Sequence, residues 1–161
     1  MALIAAGFLL AVPCARAQTT LSVAETNFIM AAAEGGMTEV KLGELAATNA
    51  KREDVKAFGQ MMVKDHTAIN DDLKTLATLK NITLPDRLDA EHQDIVDKMA
   101  AMKGSEFDDA YINGMIQTHQ KDAKAFEAES AATQDTGIKY FLDTSIPVVE
   151  SHLQQATALK K

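Results

Sequence analysis

EDVKAFGQMMVKDHTAINDDLKTLATLK, residues Glu53–Lys80, decides the fold. Val55, Phe58, Met62, His66, Ile69, Leu73 and Leu76 recur every three or four positions, which on a helix of 3.6 residues per turn places them on one face. Charged and polar residues fill the positions between them, so the opposite face meets water. The apolar stripe has one polar member, His66.

Three further segments repeat this pattern on either side. Upstream, Ser22-Val23-Ala24-Glu25 has the form of a capping box and opens a helix to about Asn49, with Phe28, Ala32, Glu39, Leu42 and Ala46 on its stripe. Downstream, Leu84-Pro85 breaks the run, and a short amphipathic stretch from Asp86 to about Met102 presents Leu88, Ile95 and Met99 before Gly104 stops it. Ser105 starts a third long helix that carries Phe107, Tyr111, Met115, His119 and Phe126 to about Ala132. Asp135 opens the fourth, with Ile138, Phe141 or Leu142, Ser145, Val149, His152, Ala156 and Leu159. Four helices of about twenty-five residues, each about 38 Å long, predict an all-α, up-down four-helix bundle with a short extra crossover helix.

Composition agrees with this reading. Tryptophan is absent and only 5% of residues are aromatic, whereas strong helix formers dominate. The chain of 161 residues suits one domain with a real core. Its formal net charge of −7 disfavours nucleic acid and anionic membrane surfaces as partners. The segment 1–17, MALIAAGFLLAVPCARA, is apolar through Val12, breaks at Pro13 and ends in the small-x-small pattern Ala15-Arg16-Ala17. It reads as a secretory signal peptide cut after Ala17, leaving a domain over 18–161 for the periplasm or the exterior. The single cysteine, Cys14, falls inside that leader, so the mature chain has neither a disulfide nor a thiolate ligand. No second apolar run is long enough to span a bilayer.

Each long helix interrupts its inner stripe once, with Glu39, His66, His119 and His152 in turn. If the first and third helices rise while the others descend, Glu39 and His119 stand roughly 26 Å and 21 Å from one end of the bundle, and His66 and His152 roughly 20 Å and 26 Å from the other. Those heights are compatible with one site. A lone histidine on an apolar face is commonly a hydrogen-bonded core residue, but a buried carboxylate is costly unless it is paired or bound to a metal. Three imidazoles and a carboxylate supply the donors for one divalent transition metal, which is the expected partner. Met62 and Met115 lie one helical turn before His66 and His119. If their sulfurs bind, copper is favoured; if they only pack, the harder donors suit zinc, iron or manganese. Asp65 and Asp122 flank two of the histidines and are candidate acceptors to orient the rings.

The blocks FIMAAAEGGMTEVKLGELA, FGQMMVKDH, FDDAYINGMIQTHQKD and IKYFLDTSIPVVESHLQQA occur in that order along nearly all of the mature chain. In them the sequence resembles the bacterial DUF4142 family, whose members are often labelled outer-membrane proteins. The resemblance implies a ferritin-like four-helix fold, export to the envelope, and a metal-ligand role for Glu39, His66, His119 and His152. It implies no activity, and the sequence has no alternating strands for a barrel.

A di-iron carboxylate centre is not expected. Such sites need Glu-x-x-His on two helices, and here Val63, Ile116 and Val149 stand three residues before the histidines. The only acidic match is Asp89 before His92, on the crossover helix and read as structural. A mononuclear site is therefore preferred. Gly35-Gly36 and Pro147, close to Glu39 and His152, either open space at the metal or serve packing alone. Three functional readings follow: an exported module that binds and holds metal, a small redox enzyme acting on oxygen species through a vacant coordination position, and a metal-free envelope interaction protein.

Overall fold

The computed structural model describes residues 21–160, and the expected signal peptide lies outside them. Five helices follow one another: α1 (Val23–Asn49), α2 (Glu53–Lys80), α3 (Ala90–Ala101), α4 (Gly104–Ala132) and α5 (Thr136–Leu159). No helix among the described residues is long and apolar enough to cross a membrane.

Side chains close the helix ends. Ser22 Oγ accepts from the Glu25 amide at 3.1 Å while Glu25 accepts from the Ser22 amide at 2.8 Å, completing the capping box of α1. The first turn of α2 has no capping side chain of its own. Asp108 of α4 reaches across instead and accepts from the amides of Lys51 and Arg52 at 3.0 and 3.1 Å. Asn81, at φ 57°, ends α2 in the left-handed region. Asp135 accepts from the amides of Gly137 and Ile138 at the start of α5 and also pairs with Lys80.

The helix directions differ from simple alternation at one point. Ala50, just after α1, bridges to Gly104 at the start of α4, and Arg52 Nη1 donates to the carbonyl of Leu159 at 3.0 Å. At the opposite end, Thr133 Oγ1 donates to Glu25 at 2.7 Å beside the Lys80–Asp135 pair. So α4 runs parallel to α2, and α5 parallel to α1. The cause is the crossover: residues 81–103, with α3 packed mainly on α1, carry the chain back along the bundle before α4 begins. The ligand heights survive the reversal because His119 lies near the middle of its helix.

Two apolar clusters fill the bundle. One gathers Leu42, Ala46, Phe58, Met62, Tyr111 and Met115; the other gathers Ile29, Ala33, Leu73, Phe126, Phe141 and Val149. On every long helix the polar residue of the stripe falls between the two. Two stripe positions differ from expectation. In the first turns of α1 Ile29 and Ala33 are buried rather than Phe28 and Ala32, and on α3 Val96 is buried where Ile95 stays 40% exposed. Both faces are rotated by one residue, about 100°. The rotation leaves Phe28, Ala32 and Ile95 along a cavity.

Close approach of α1 and α2 depends on glycine. A Cβ at Gly59 would lie 2.5 Å from that of Ala46 and 2.9 Å from the Gly43 carbonyl oxygen, and one at Gly43 would lie 2.7 Å from the Gly59 oxygen. Gly36 is similarly closed off by the Asn70 side chain, whereas Gly35 faces open space. The glycine pair near Glu39 thus does two things, one residue serving contact and the other bordering the cavity. Gly59→Ala should destabilise the protein by about 1–3 kcal/mol through overpacking. Gly35→Ala should leave stability unchanged or raise it by up to about 1 kcal/mol through helix propensity. Urea unfolding followed by circular dichroism decides; equal effects at the two glycines would refute the packing argument.

Candidate metal centre

Glu39, His66, His119 and His152 converge at the middle of the bundle, and none is more than 4% exposed. The three imidazole centroids lie 5.1–5.6 Å apart. One donor atom from each ring lies within 4.8 Å of those of the other two. The carboxylate of Glu39 is not part of that triad; it sits beside it.

Each ring is held through one nitrogen. His119 Nδ1 donates to the Met115 carbonyl at 3.0 Å, one turn back along α4, with Glu39 Oε1 at 3.5 Å. His152 Nε2 donates to Asp65 Oδ2 at 3.1 Å, across from α5 to α2. His66 Nδ1 meets Glu39 Oε2 at 3.0 Å, from α2 to α1. The opposite nitrogens, His66 Nε2, His119 Nε2 and His152 Nδ1, are buried without a hydrogen-bond partner. For His119 and His152 these bonds select the tautomer whose free nitrogen carries a lone pair. Buried polar atoms are almost always satisfied, so three orphans on neighbouring rings single this spot out as a candidate ligand site.

The electrostatics point the same way. Burial pushes the Glu39 carboxyl well above the usual carboxylate range, and the neighbouring Asp122 adds to the effect. Burial also pulls His66 well below the ordinary imidazole value, with His119 and His152 contributing; it lowers His119 to about 4 and lowers His152, against the pull of Asp65. The Glu39–His66 contact has the geometry of an ion pair, yet burial opposes charge on both partners. We take it as a neutral, proton-sharing pair, because neither group has solvent to support its charge.

The other residues singled out in the sequence take distinct places. Asp65 reaches His152 rather than its neighbour His66. Asp122 makes no hydrogen bond to His119 among the described residues; it borders the cavity, and burial raises it to about 6. Met62 and Met115 are fully buried in the apolar cluster. Pro147 lies inside α5 on its exposed side. Sequence reasoning missed two buried polar groups, the Tyr111 hydroxyl and Asn70 Oδ1, neither of which has a hydrogen-bond partner. Burial, followed by the charge of Glu39, pushes the Tyr111 phenol up. Nothing in the stripe distinguished this tyrosine from a packing aromatic. A cavity of about 530 Å³ runs against Glu39, His66 and Asp122 and extends to Glu34, Asp89 and His92 at the surface.

Comparison with known proteins agrees with this architecture. The profile of the family described as Domain of unknown function (DUF4142) matches residues 10–159, so the chain belongs to that family. No curated protein matches. Among solved structures, CopM in the Cu(I)-bound form is similar at a TM-score of 0.69 and 16% identity, over 83% of this chain and 93% of that one. The Ag-bound form, obtained by co-crystallization, gives 0.67 at 18% identity, and the Cu(II)-bound form 0.65 at 16%, with the same coverage. At such identities the likeness is one of fold, that of a helical bundle.

The buried imidazoles make the metal-free protein sensitive to acid. Their folded pKa values lie below the unfolded value, so the unfolded chain gains protons first as pH falls. Stability is therefore present above about pH 6.5 and is lost as pH falls towards the folded value of about 4 for His119. That residue alone accounts for about 3 kcal/mol at 1.36 kcal/mol per pH unit. Glu39, raised by burial, acts in the opposite sense and softens the loss. Unfolding free energies measured with a chelator at pH 7 and 4.5 should differ less in His119→Gln than in the unmodified chain. An unchanged difference would show that His119 is not held neutral.

Proposed function

We propose that this member of the DUF4142 family is an exported protein that binds one copper ion through His66 Nε2, His119 Nε2 and His152 Nδ1, and holds the ion rather than turning over a substrate. The observation that carries the reading is the set of three buried imidazole nitrogens without partners, on rings each fixed through the other nitrogen. Export rests on the leader-like segment 1–17.

Glu39 in this reading orients His66 instead of joining the triad, and Asp65 does the same for His152. Imidazole donors suit copper or zinc and give little to select manganese, which prefers carboxylates. The structures of like fold described as bound to Cu(I), Cu(II) and Ag add support for copper over zinc. The buried thioethers of Met62 and Met115 pack in the apolar cluster and are not counted as donors, so the choice of copper rests on the imidazoles and on those structures of like fold.

Charge balance favours such an ion. In the neutral Glu39–His66 pair the carboxyl proton is shared with His66 Nδ1 and the ring's own proton sits on Nε2; that second proton must leave for Nε2 to present a lone pair, so binding exchanges a proton for a cation. The exchange spares the bundle most of the cost of an uncompensated buried charge. Affinity should therefore rise with pH until the Glu39 carboxyl ionises unaided, which burial delays well beyond its ordinary value.

The test uses untagged protein loaded with copper, dialysed, and measured by plasma mass spectrometry. About one equivalent should remain in the unmodified chain and none in His119→Ala, which should keep its helical circular-dichroism spectrum. Calorimetry in buffers of different ionisation enthalpy should show one proton released per copper, reduced in Glu39→Gln. Stoichiometric copper retained by His119→Ala would refute the proposed triad.

A further inference from the structure

A second cluster of donors stands where the cavity opens. Glu34 of α1, Asp89 at the start of α3 and His92 in its first turn each bring one donor atom within 4.8 Å of the other two. His92 Nδ1 lies 2.9 Å from Asp89 Oδ1 and 4.0 Å from Glu34 Oε2, which also accepts from the Asp89 amide at 3.3 Å. All three side chains reach solvent, at 16%, 53% and 30% exposure.

Capping alone does not account for the group. Asp89 caps α3 by accepting from the His92 amide at 2.8 Å, which needs neither Glu34 nor the imidazole. Two carboxylates brought together repel, and no lysine or arginine among the described residues pairs with either. The independent observation lies inside. The cavity bordered by Glu34, Asp89 and His92 is also bordered by Glu39 and His66, whose buried Oε1 and Nε2 atoms have no hydrogen-bond partner. On α1 the path from Glu34 to Glu39 is five residues, or about 7.5 Å of helix. Asp122, on the same cavity, adds a further oxygen donor.

We propose that Glu34, Asp89 and His92 form an outer site for a divalent cation, from which the ion is handed along the cavity to the buried imidazoles. The donor set explains the direction of transfer. Two oxygens and one nitrogen, exposed and exchangeable, bind a borderline divalent ion more weakly than three pre-oriented imidazoles shielded from water. The step is ligand exchange: the ion leaves oxygen donors, gains nitrogen donors and keeps its oxidation state. The handover rests on the proposed buried triad, but the outer site itself does not.

Cupric sulfate is the probe, with the full chain and electron paramagnetic resonance as the readout. The unmodified protein should take up two equivalents of Cu(II), one showing coupling to several nitrogens and one to a single nitrogen. Glu34→Gln combined with His92→Asn, both at solvent-reached positions, should lose only the single-nitrogen signal and fill the buried site at least about tenfold more slowly in rapid-freeze samples. Titrated without dialysis, which strips the weaker outer site, His119→Ala should keep the single-nitrogen equivalent, so failure of the triad is read separately from failure of the outer site. A single-nitrogen signal absent from the unmodified protein, or surviving in the double variant, overturns the outer site. Its loss with an unchanged filling rate overturns the handover.

Discussion

Four polar side chains buried between two apolar clusters are the constraint on which the bundle depends. Removing a carboxyl and three imidazoles from water is expensive, and each group needs compensation within reach. The structure supplies part of it: a backbone carbonyl for His119, a carboxylate for His152, and a shared contact for His66 with Glu39. These contacts run from α2 to α1 and from α5 to α2, so they fix the axial register of the helices at mid-height. What they leave uncompensated is the second nitrogen of each ring.

Register at mid-height is reinforced at the ends. Asp108 binds the start of α2 to α4, Arg52 binds it to the end of α5, and Asp135 joins the start of α5 to Lys80 at the end of α2. The glycine contact between α1 and α2 sets the separation on one side of the bundle. On the other side of α1, α3 and the crossover leave room for the cavity. Tight packing on one flank and an opening on the other follow from the placement of glycine and from a crossover helix too short to cover α1 along its length.

Much of this was legible in the sequence because helical periodicity is a strong signal. The boundaries of the four long helices, the capping box and the inward position of Glu39, His66, His119 and His152 all follow from spacing at 3.6 residues per turn. What spacing does not encode is rotation within about one residue, hence the exchange of Ile95 for Val96 and of Phe28 for Ile29. Nor does it encode direction across a crossover, since a loop with one short helix can return to either end. Partnership across helices was equally out of reach. Asp65 sits beside His66 in sequence but contacts His152, because adjacent residues on a helix point about 100° apart. The pairing of Glu34 with Asp89 and His92 needed the packing of α3 on α1, which no local pattern specifies.

The arrangement of charge also limits what the centre can do. A site made of three neutral imidazoles gives a cation donors but no counter-charge, and in a low-dielectric interior that counter-charge must come from nearby. In the proposed function Glu39 would provide it without leaving its contact with His66, protonated in the empty triad and ionised in the filled one. Asp122 raises the Glu39 carboxyl, while burial raises Asp122 itself only to about 6, so at neutral pH Asp122 is largely ionised and Glu39 keeps its proton. In the proposed centre Glu39 is then the carboxyl whose proton leaves against an incoming cation, with Asp122 already charged beside it. Both carboxyls line the same cavity, which ties the charge balance of the proposed centre to that opening.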